Sequence, residues 1–217
     1  MTKVAVVLSG CGVFDGSEIY ESVITLLRLS QEGADYQCFA PDIEQMHVVN
    51  HLSGEVVEGE SRNVLVEAAR LARGEIKNIV EARVDDFDAL IVPGGFGAAK
   101  NLSDFAVNGA GLSVQPDFLT FAQAMHKAGK PIGLMCIAPT MSAKIFGAGV
   151  QCTIGSDEAT AAAISASGGE HVDCKVNEIV IDQQRQYVTT PAYMLASSIA
   201  EAASGINKLV DEVLKLA

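Results

Sequence analysis

The residues with the clearest chemical potential lie in Lys130-Pro131-Ile132-Gly133-Leu134-Met135-Cys136-Ile137-Ala138-Pro139-Thr140. A short apolar run, suited to a buried strand, reaches a cysteine, and a pattern able to form a helix begins at once. Such a corner holds a nucleophile on a strained turn at the end of a sheet. It also sets the thiol over the free N–H groups of a first helical turn, an environment that pulls a cysteine to roughly 3.5–7.5. Cys136 is therefore the candidate nucleophile, and the same residue also reads as a small buried cysteine of a core.

A thiolate nucleophile needs a proton acceptor and donors for a developing oxyanion. The turn Pro93-Gly94-Gly95 and the residue after the cysteine offer donors, the backbone N–H groups of Gly95 and Ile137. Glu18 and Glu21, three apart in a predicted helix, offer carboxyl groups on one face. Glu18 reads equally as an acidic residue complementing the helix dipole. A Cys-His hydrolase needs a histidine close to the thiol. Ile137 follows the cysteine instead, and His47, His51, His126 and His171 all lie in segments unsuited to reach it. Peptide or amide hydrolysis is poorly supported on these grounds.

The elements that must position these groups follow in chain order. Lys3 to Leu8 is a β-branched run of the kind buried on both faces of a parallel sheet. Ser9-Gly10-Cys11-Gly12-Val13-Phe14-Asp15-Gly16 is a glycine-rich loop, but position 15 is Asp, so the G-x-G-x-x-G dinucleotide spacing fails. Ser17 is expected to cap a helix with Ile19, Val23, Ile24, Leu26, Leu27 and Leu29 apolar, ending near Gly33. Asp35 to Ala40 predicts a strand, Ser61 to Arg73 a helix, and Glu75 to Ala82 another strand. Asp88 to Val92 predicts a buried strand, Phe96 to Leu102 a loop of small residues, and Gln115 to Gly129 a helix. A helix is expected from Cys136 to Gly147, tolerating Pro139 in its first turn. Thereafter come a helix from Asp157 to Ser167, a short strand near Val172, a hairpin of Ile179–Ile181 with Tyr187–Thr189, and a helix from Met194 to Leu216. Strands and helices alternate, the signature of an α/β fold with a mostly parallel sheet and helices on both faces. No linker or repeat interrupts residues 1–217, which read as a single domain.

Composition narrows the function. With 49% hydrophobic and 19% charged residues, the chain can bury a large core. A formal net charge of −12 with no Lys/Arg cluster argues against nucleic-acid and anionic-membrane partners. Cys11, Cys38, Cys136, Cys152 and Cys174 are odd in number and lack C-x-x-C spacing, against a disulfide framework or structural zinc. No apolar run approaches the roughly 18 residues of a membrane span, and the first strand begins at Lys3. A cytoplasmic protein without signal or transit peptide is expected.

The chain resembles the superfamily of class I glutamine amidotransferase-like and PfpI-like proteins. Within it, it is similar to the ElbB subfamily, also called enhancing-lycopene-biosynthesis or sigma cross-reacting proteins. The matching motifs are Leu8 to Ile19, Pro93 to Leu102, Met135 to Pro139 and Val188 to Leu195. The resemblance implies a flavodoxin-like three-layer sandwich and cofactor-independent glyoxalase activity on methylglyoxal or glyoxal, without metal, glutathione or nucleotide. It also resembles the glyoxalase/deglycase branch of the superfamily, in which Glu21-Ser22-Val23-Ile24 falls where a cysteine-paired glutamate lies. That comparison favours Glu21 over Glu18 and adds Gly94 and Asn101 to the substrate-binding candidates. Two departures weigh against hydrolysis: Gly155 or its neighbours stand where that branch has a histidine, and Ile137 replaces the histidine of PfpI-like proteases. A homodimer acting on a small aldehyde or dicarbonyl is expected by analogy. The competing expectation is a non-catalytic protein, sensing redox state through Cys136 or binding a metabolite, connected with isoprenoid biosynthesis as the family name suggests. An amidotransferase-type hydrolase is the remaining alternative.

Overall fold

The structure is a computed structural model describing residues 1–217. The β-branched run Lys3–Val7 forms β1, near the middle of a seven-stranded sheet. The other strands are β2 (Asp35–Ala40), a two-residue pair β3 (Val49–Asn50) and β4 (Glu55–Val56), β5 (Ile76–Asn78), β6 (Ala89–Val92), β7 (Ile132–Met135), β8 (Gln151–Cys152), β9 (Glu170–His171), β10 (Val180–Asp182) and β11 (Tyr187–Thr190). The main sheet runs β10-β11-β7-β6-β1-β2-β5, and only β10 pairs antiparallel to its neighbour. Eight α-helices accompany it: α1 (Ile19–Gln31), α2 (Val64–Ala68), α3 (Phe96–Lys100), α4 (Phe105–Asn108), α5 (Pro116–Lys127), α6 (Ser142–Phe146), α7 (Glu158–Ala166) and α8 (Ile199–Leu216).

Alternation along the strands builds the flavodoxin-like three layers. Val4 and Val6 of β1 pack with Leu29 of α1, Val64 of α2 and Leu209 of α8 on one face. Ala5 and Val7 pack with Phe118 and Met125 of α5 and Ile145 of α6 on the other. Gly133 in β7 lets α8 lie flush on the sheet, since a Cβ there would stand 2.7 Å from Leu209 Cδ2. The chain winds outward from β1 through β2 to β5, then returns to β6 on the opposite side of β1. Ligands in open α/β sheets bind beyond the strands' carboxyl ends at such a reversal. The loops after β1, β6, β7 and β11 meet there.

Several boundaries differ from the sequence expectations, each for a local reason. Glu18, not Ser17, caps α1, because Ser17 Oγ instead accepts the Ser9 N–H at 2.8 Å. The first helix also turns a polar face inward: Glu21, Ser22 and Thr25 are buried while Ile19, Val23 and Leu27 are exposed. Asn63 caps α2, whose last turn tightens into i→i+3 bonds, so the expected helix to Arg73 stops at Ala68. Beyond β5 a capping box of Asn78 and Glu81 turns the chain into a 3₁₀ turn, which ends the strand expected to reach Ala82. Phe96 to Lys100, expected as a loop, is α3. Its carbonyls are reached by the N–H groups of Asn101 and Leu102. After Cys136 the first turn is 3₁₀, Ala138–Met141, before α6. The last helix begins at Ile199 behind a Ser198 cap, with Ala192–Met194 a separate 3₁₀ turn.

Candidate active site

Cys136 follows directly on β7 and sits at φ +60, a left-handed conformation that a cysteine adopts only under constraint. Its N–H is held by the Thr190 carbonyl at 3.1 Å, so β11 fixes the turn from the side. Gly94 lies under it. A Cβ at Gly94 would come within 2.3 Å of Cys136 Cβ and 2.8 Å of Glu21 Oε2, so glycine is what allows the thiol and the carboxyl to meet. Gly95, at φ +91, passes just as close to the Gly16 and Glu18 backbone. Here the loop after β1 is pinned to the turn after β6 by the Glu18 N–H on the Gly94 carbonyl (3.0 Å) and the Gly97 N–H on the Gly16 carbonyl (2.8 Å).

Glu21 is fully buried. Oε2 accepts the Gly94 N–H at 2.8 Å, Oε1 accepts the Tyr193 N–H at 3.1 Å, and the carboxyl lies close enough to the Cys136 thiol for each to shift the other. Burial is the largest influence and lifts Glu21 to about 7, against the pull of the Tyr193 N–H. Burial also pushes the Cys136 thiol well above its usual range, and the Glu21 charge pushes it further. The N–H groups of Gly95 and Ile137 pull the other way. This corrects the expectation of a thiol depressed by a helix terminus: the following turn is 3₁₀, and desolvation outweighs its amides. Thiol and carboxyl titrate as one unit. Glu21 gives up its proton near pH 7 while the thiol keeps its own, which leaves a carboxylate beside the sulfur able to accept that proton.

A cavity of about 360 Å³ opens on this pair. Cys136, Ile137, Gly95 and Glu18 line it, whereas Glu21 and Gly94 lie behind the sulfur. The two carboxyls are thus separated: Glu21 faces the thiol, and Glu18 faces the cavity. Glu18 Oε2 accepts the Glu21 N–H at 2.7 Å as the helix cap. Burial raises Glu18 above the ordinary carboxylate range. Asn101 does not reach the cavity, contrary to the substrate-binding expectation. Its amide N–H₂ bonds the carbonyls of Ser9 and Asp15 (2.9 Å each) and its Oδ1 accepts the Met46 N–H, which makes it a brace for the glycine loop. No histidine lines the cavity either. His51 accepts the Phe14 N–H and His171 the Ile154 N–H, while His126 packs edge-on against Phe146. No group of three or more His, Cys, Asp or Glu residues is arranged to hold a metal ion.

The sequence reading missed Asp157 and Thr160 at the start of α7, Phe105 on α4, and Tyr193 with Met194 after β11. Only the last pair had a signal: β11 runs parallel to β7 in register Thr190 to Met135, so its following turn had to arrive beside Cys136. A larger hollow of about 410 Å³ around Glu32, Ala34 and Asp211 holds no candidate nucleophile.

No family model matches the chain. Curated relatives do, among them human "Glutamine amidotransferase-like class 1 domain-containing protein 3, mitochondrial", 47% identical and covering 99% of this chain and 83% of its own length. The rat "ES1 protein homolog, mitochondrial" is 46% identical over 99% and 84%. Among solved structures, an isoprenoid biosynthesis protein with amidotransferase-like domain from Ehrlichia chaffeensis superposes with a TM-score of 0.93 at 38% identity, covering 100% and 99% of the two chains. Glyoxalase III from Candida albicans shares the fold, with a TM-score of 0.61 at 13% identity over 99% and 97%.

Proposed function

The chain belongs to the ElbB/ES1 family of class I glutamine amidotransferase-like proteins, and from that premise we propose that it is a cofactor-independent glyoxalase converting 2-oxoaldehydes to 2-hydroxy acids at Cys136. The observation that carries the reading is the pairing of a strained, cavity-facing thiol with a buried carboxyl poised near pH 7. Glu21 takes the thiol proton, and the sulfur forms a bond to the aldehyde carbon while the carbonyl oxygen gains a proton. The Gly95 and Ile137 N–H groups lie beside the sulfur, where they steady the charge as it moves. Glu18, on the cavity side, removes the hydrogen of the former aldehyde carbon and returns a proton to the neighbouring carbon, while the hydroxyl proton of the first carbon passes to the oxygen of the second. That leaves a thioester bearing a 2-hydroxyl. Water then cleaves the thioester, releasing the hydroxy acid and the thiol. Two carboxyls three residues apart take separate roles because one faces sulfur and one faces substrate.

The reading needs no metal or nucleotide. A homodimer is part of it, supported by the exposed apolar face of α1, Ile19, Tyr20, Val23 and Leu27. Five unpaired cysteines support a reducing compartment. The curated relatives are named as mitochondrial where the sequence reading expects the cytoplasm. No helix is long and apolar enough to cross a membrane.

The test is conversion of methylglyoxal to lactate by the purified protein in deuterated water, followed by proton NMR. Lactate carrying deuterium at C2 is expected. Absence of lactate overturns the glyoxalase reading, whereas lactate without deuterium shows that the hydrogen taken from one carbon reaches the next without exchanging with solvent. In that first case a Cys136 that still oxidises with dilute peroxide would make the redox-sensing alternative the better account.

A further inference from the structure

Resting on the glyoxalase reading, we infer that the substrate is a 2-oxoaldehyde carrying an uncharged, apolar group of about phenyl size, seated between Phe96 and Phe105, and that anionic dicarbonyls are turned away. Methylglyoxal, with three carbons and two oxygens, fills a small part of the cavity. Its 360 Å³ falls within the roughly 300–1,000 Å³ of sites that enclose much larger ligands. Nine of the 13 lining residues are hydrophobic. Phe96 from α3, Phe105 from α4, Ile137 from the nucleophile turn and Met194 from the turn after β11 form a wall continuous with the sulfur. Three connections supply it, those after β6, β7 and β11, so the apolar character belongs to the cavity as a whole and not to one helix face.

The charges on the lining carry a single sign. Glu18 and Asp157 are its carboxyls, and no lysine, arginine or histidine joins them. Asp157 is exposed and caps α7 through the Thr160 N–H at 2.8 Å. The cation held nearby, Lys100, does not line the cavity: it sits over the Phe96 ring at 5.3 Å and its ammonium donates to the Phe14 carbonyl at 2.8 Å. A carboxylate or phosphate entering the cavity would lose its water and meet two carboxyl groups in exchange. A neutral hydrocarbon group loses nothing polar. The same arrangement favours departure of product, because the reaction turns a neutral substrate into an anion beside Asp157.

The experiment compares kcat/KM for methylglyoxal, phenylglyoxal and 4-carboxyphenylglyoxal. Filling an apolar pocket with even one added methylene is worth about tenfold or more. Phenylglyoxal is therefore expected to exceed methylglyoxal by at least about tenfold, and to exceed its carboxylated form by a similar factor. Intrinsic carbonyl reactivity differs among these compounds, so the deciding readout is how each ratio moves in variants. Phe105→Ala is expected to shrink the phenyl-to-methyl ratio. Asp157→Asn keeps the helix cap, Asn being as good there as Asp, and is expected to shrink the penalty on the carboxylated compound. Equal kcat/KM for the three compounds, or ratios untouched by both variants, overturns the inference while leaving the glyoxalase reading in place. Turnover of none of them overturns the parent reading. In that event, calorimetric titration with acetophenone, acetone and 4-acetylbenzoate tests the cavity alone: tighter binding of acetophenone than of the other two supports the inference, and indifference ends it.

Discussion

Cys136 and Cys152 are both buried thiols whose protons burial holds tightly, yet their surroundings differ in kind. Cys152 ends the short β8, its thiol donating to the Pro139 carbonyl at 3.9 Å next to the Ser142 and Tyr187 hydroxyls. Burial lifts it to about 11. The carboxylate whose charge reaches it, Asp182, is held by Arg185 and the Gln151 N–H, and the thiol does not line the cavity. Cys136 has a carboxyl that titrates near 7, two backbone N–H groups, a left-handed backbone and an opening onto 360 Å³ of space. A thiol raised by burial is therefore uninformative about chemistry. The partner that accepts its proton, and the space in front of it, make the difference.

The sharpest break of this contrast is Cys136→Ala. With the attacking atom gone, lactate formation from methylglyoxal is expected to fall by at least about a thousandfold, as when other nucleophiles are removed. Retained turnover would move the chemistry elsewhere. Glu21→Gln comes next. It keeps the shape and an oxygen for one of the Gly94 and Tyr193 N–H groups, turns its NH₂ toward the other, and cannot accept the thiol proton, so kcat/KM should drop by about 10²–10⁴. In the wild type, kcat/KM should rise with pH through about 7, and that limb should vanish in the variant.

The same residue makes a stability prediction of opposite sign to a surface salt bridge. Folding raises Glu21 from 4.5 to about 7, so between these values the folded chain binds more protons than the unfolded one. Stability present below about pH 4.5 declines as pH rises through 7, by about 3 kcal/mol at 1.36 kcal/mol per unit. Glu21→Gln stays neutral and should flatten this decline in denaturant unfolding at pH 5 and pH 8. An unchanged slope would mean that other groups dominate it.

Gly94→Ala sharpens the comparison from the backbone side. Its Cβ would overlap Cys136 Cβ, so it should cost about 1–3 kcal/mol as overpacking and displace the thiol from Glu21. Gly111→Ala meets nothing within 4 Å and has an ordinary φ, so its stability should change little. Equal effects of the two substitutions would show that the Gly94 contact relaxes freely.

How much of this could be read from residues alone divides along the same line. The sheet was legible because β1, β6 and β7 are continuous apolar runs, and the elbow because Cys136 has no loop after it. The thiol's partner was partly legible: spacing put Glu18 and Glu21 on one face, the family comparison favoured Glu21, and the register of α1 under Gly94 sets Glu21 against the thiol and Glu18 toward the cavity. The apolar periodicity of α1 misled, since Glu21, Ser22 and Thr25 turn inward on hydrogen bonds that no hydropathy pattern records. Asn101 looked like a ligand residue on the family comparison, yet its three bonds go to distant backbone that sequence order cannot place. Asp157 and Phe105 reach the cavity from elements far along the chain, and nothing in their local sequence marks them.

The smallest effect expected is that of Cys152→Ala, and it tests the other half of the comparison. Removing a fully buried sulfur deletes about one methylene's worth of packing and leaves a small void, for about 1 kcal/mol of stability. In a chain of this length that lowers the thermal midpoint by about 2–4 °C. The Pro139 carbonyl keeps a donor, because the Ser142 hydroxyl reaches it at 2.6 Å, so the 3₁₀ turn after Cys136 has no reason to shift. Turnover should therefore stay within about twofold of wild type at a temperature well below the midpoint, since no group touching substrate is altered. A larger loss, with the midpoint little changed, would show that the thiol behind the turn sets the position of the thiol in front of it. The two cysteines would then have to be treated as one coupled unit.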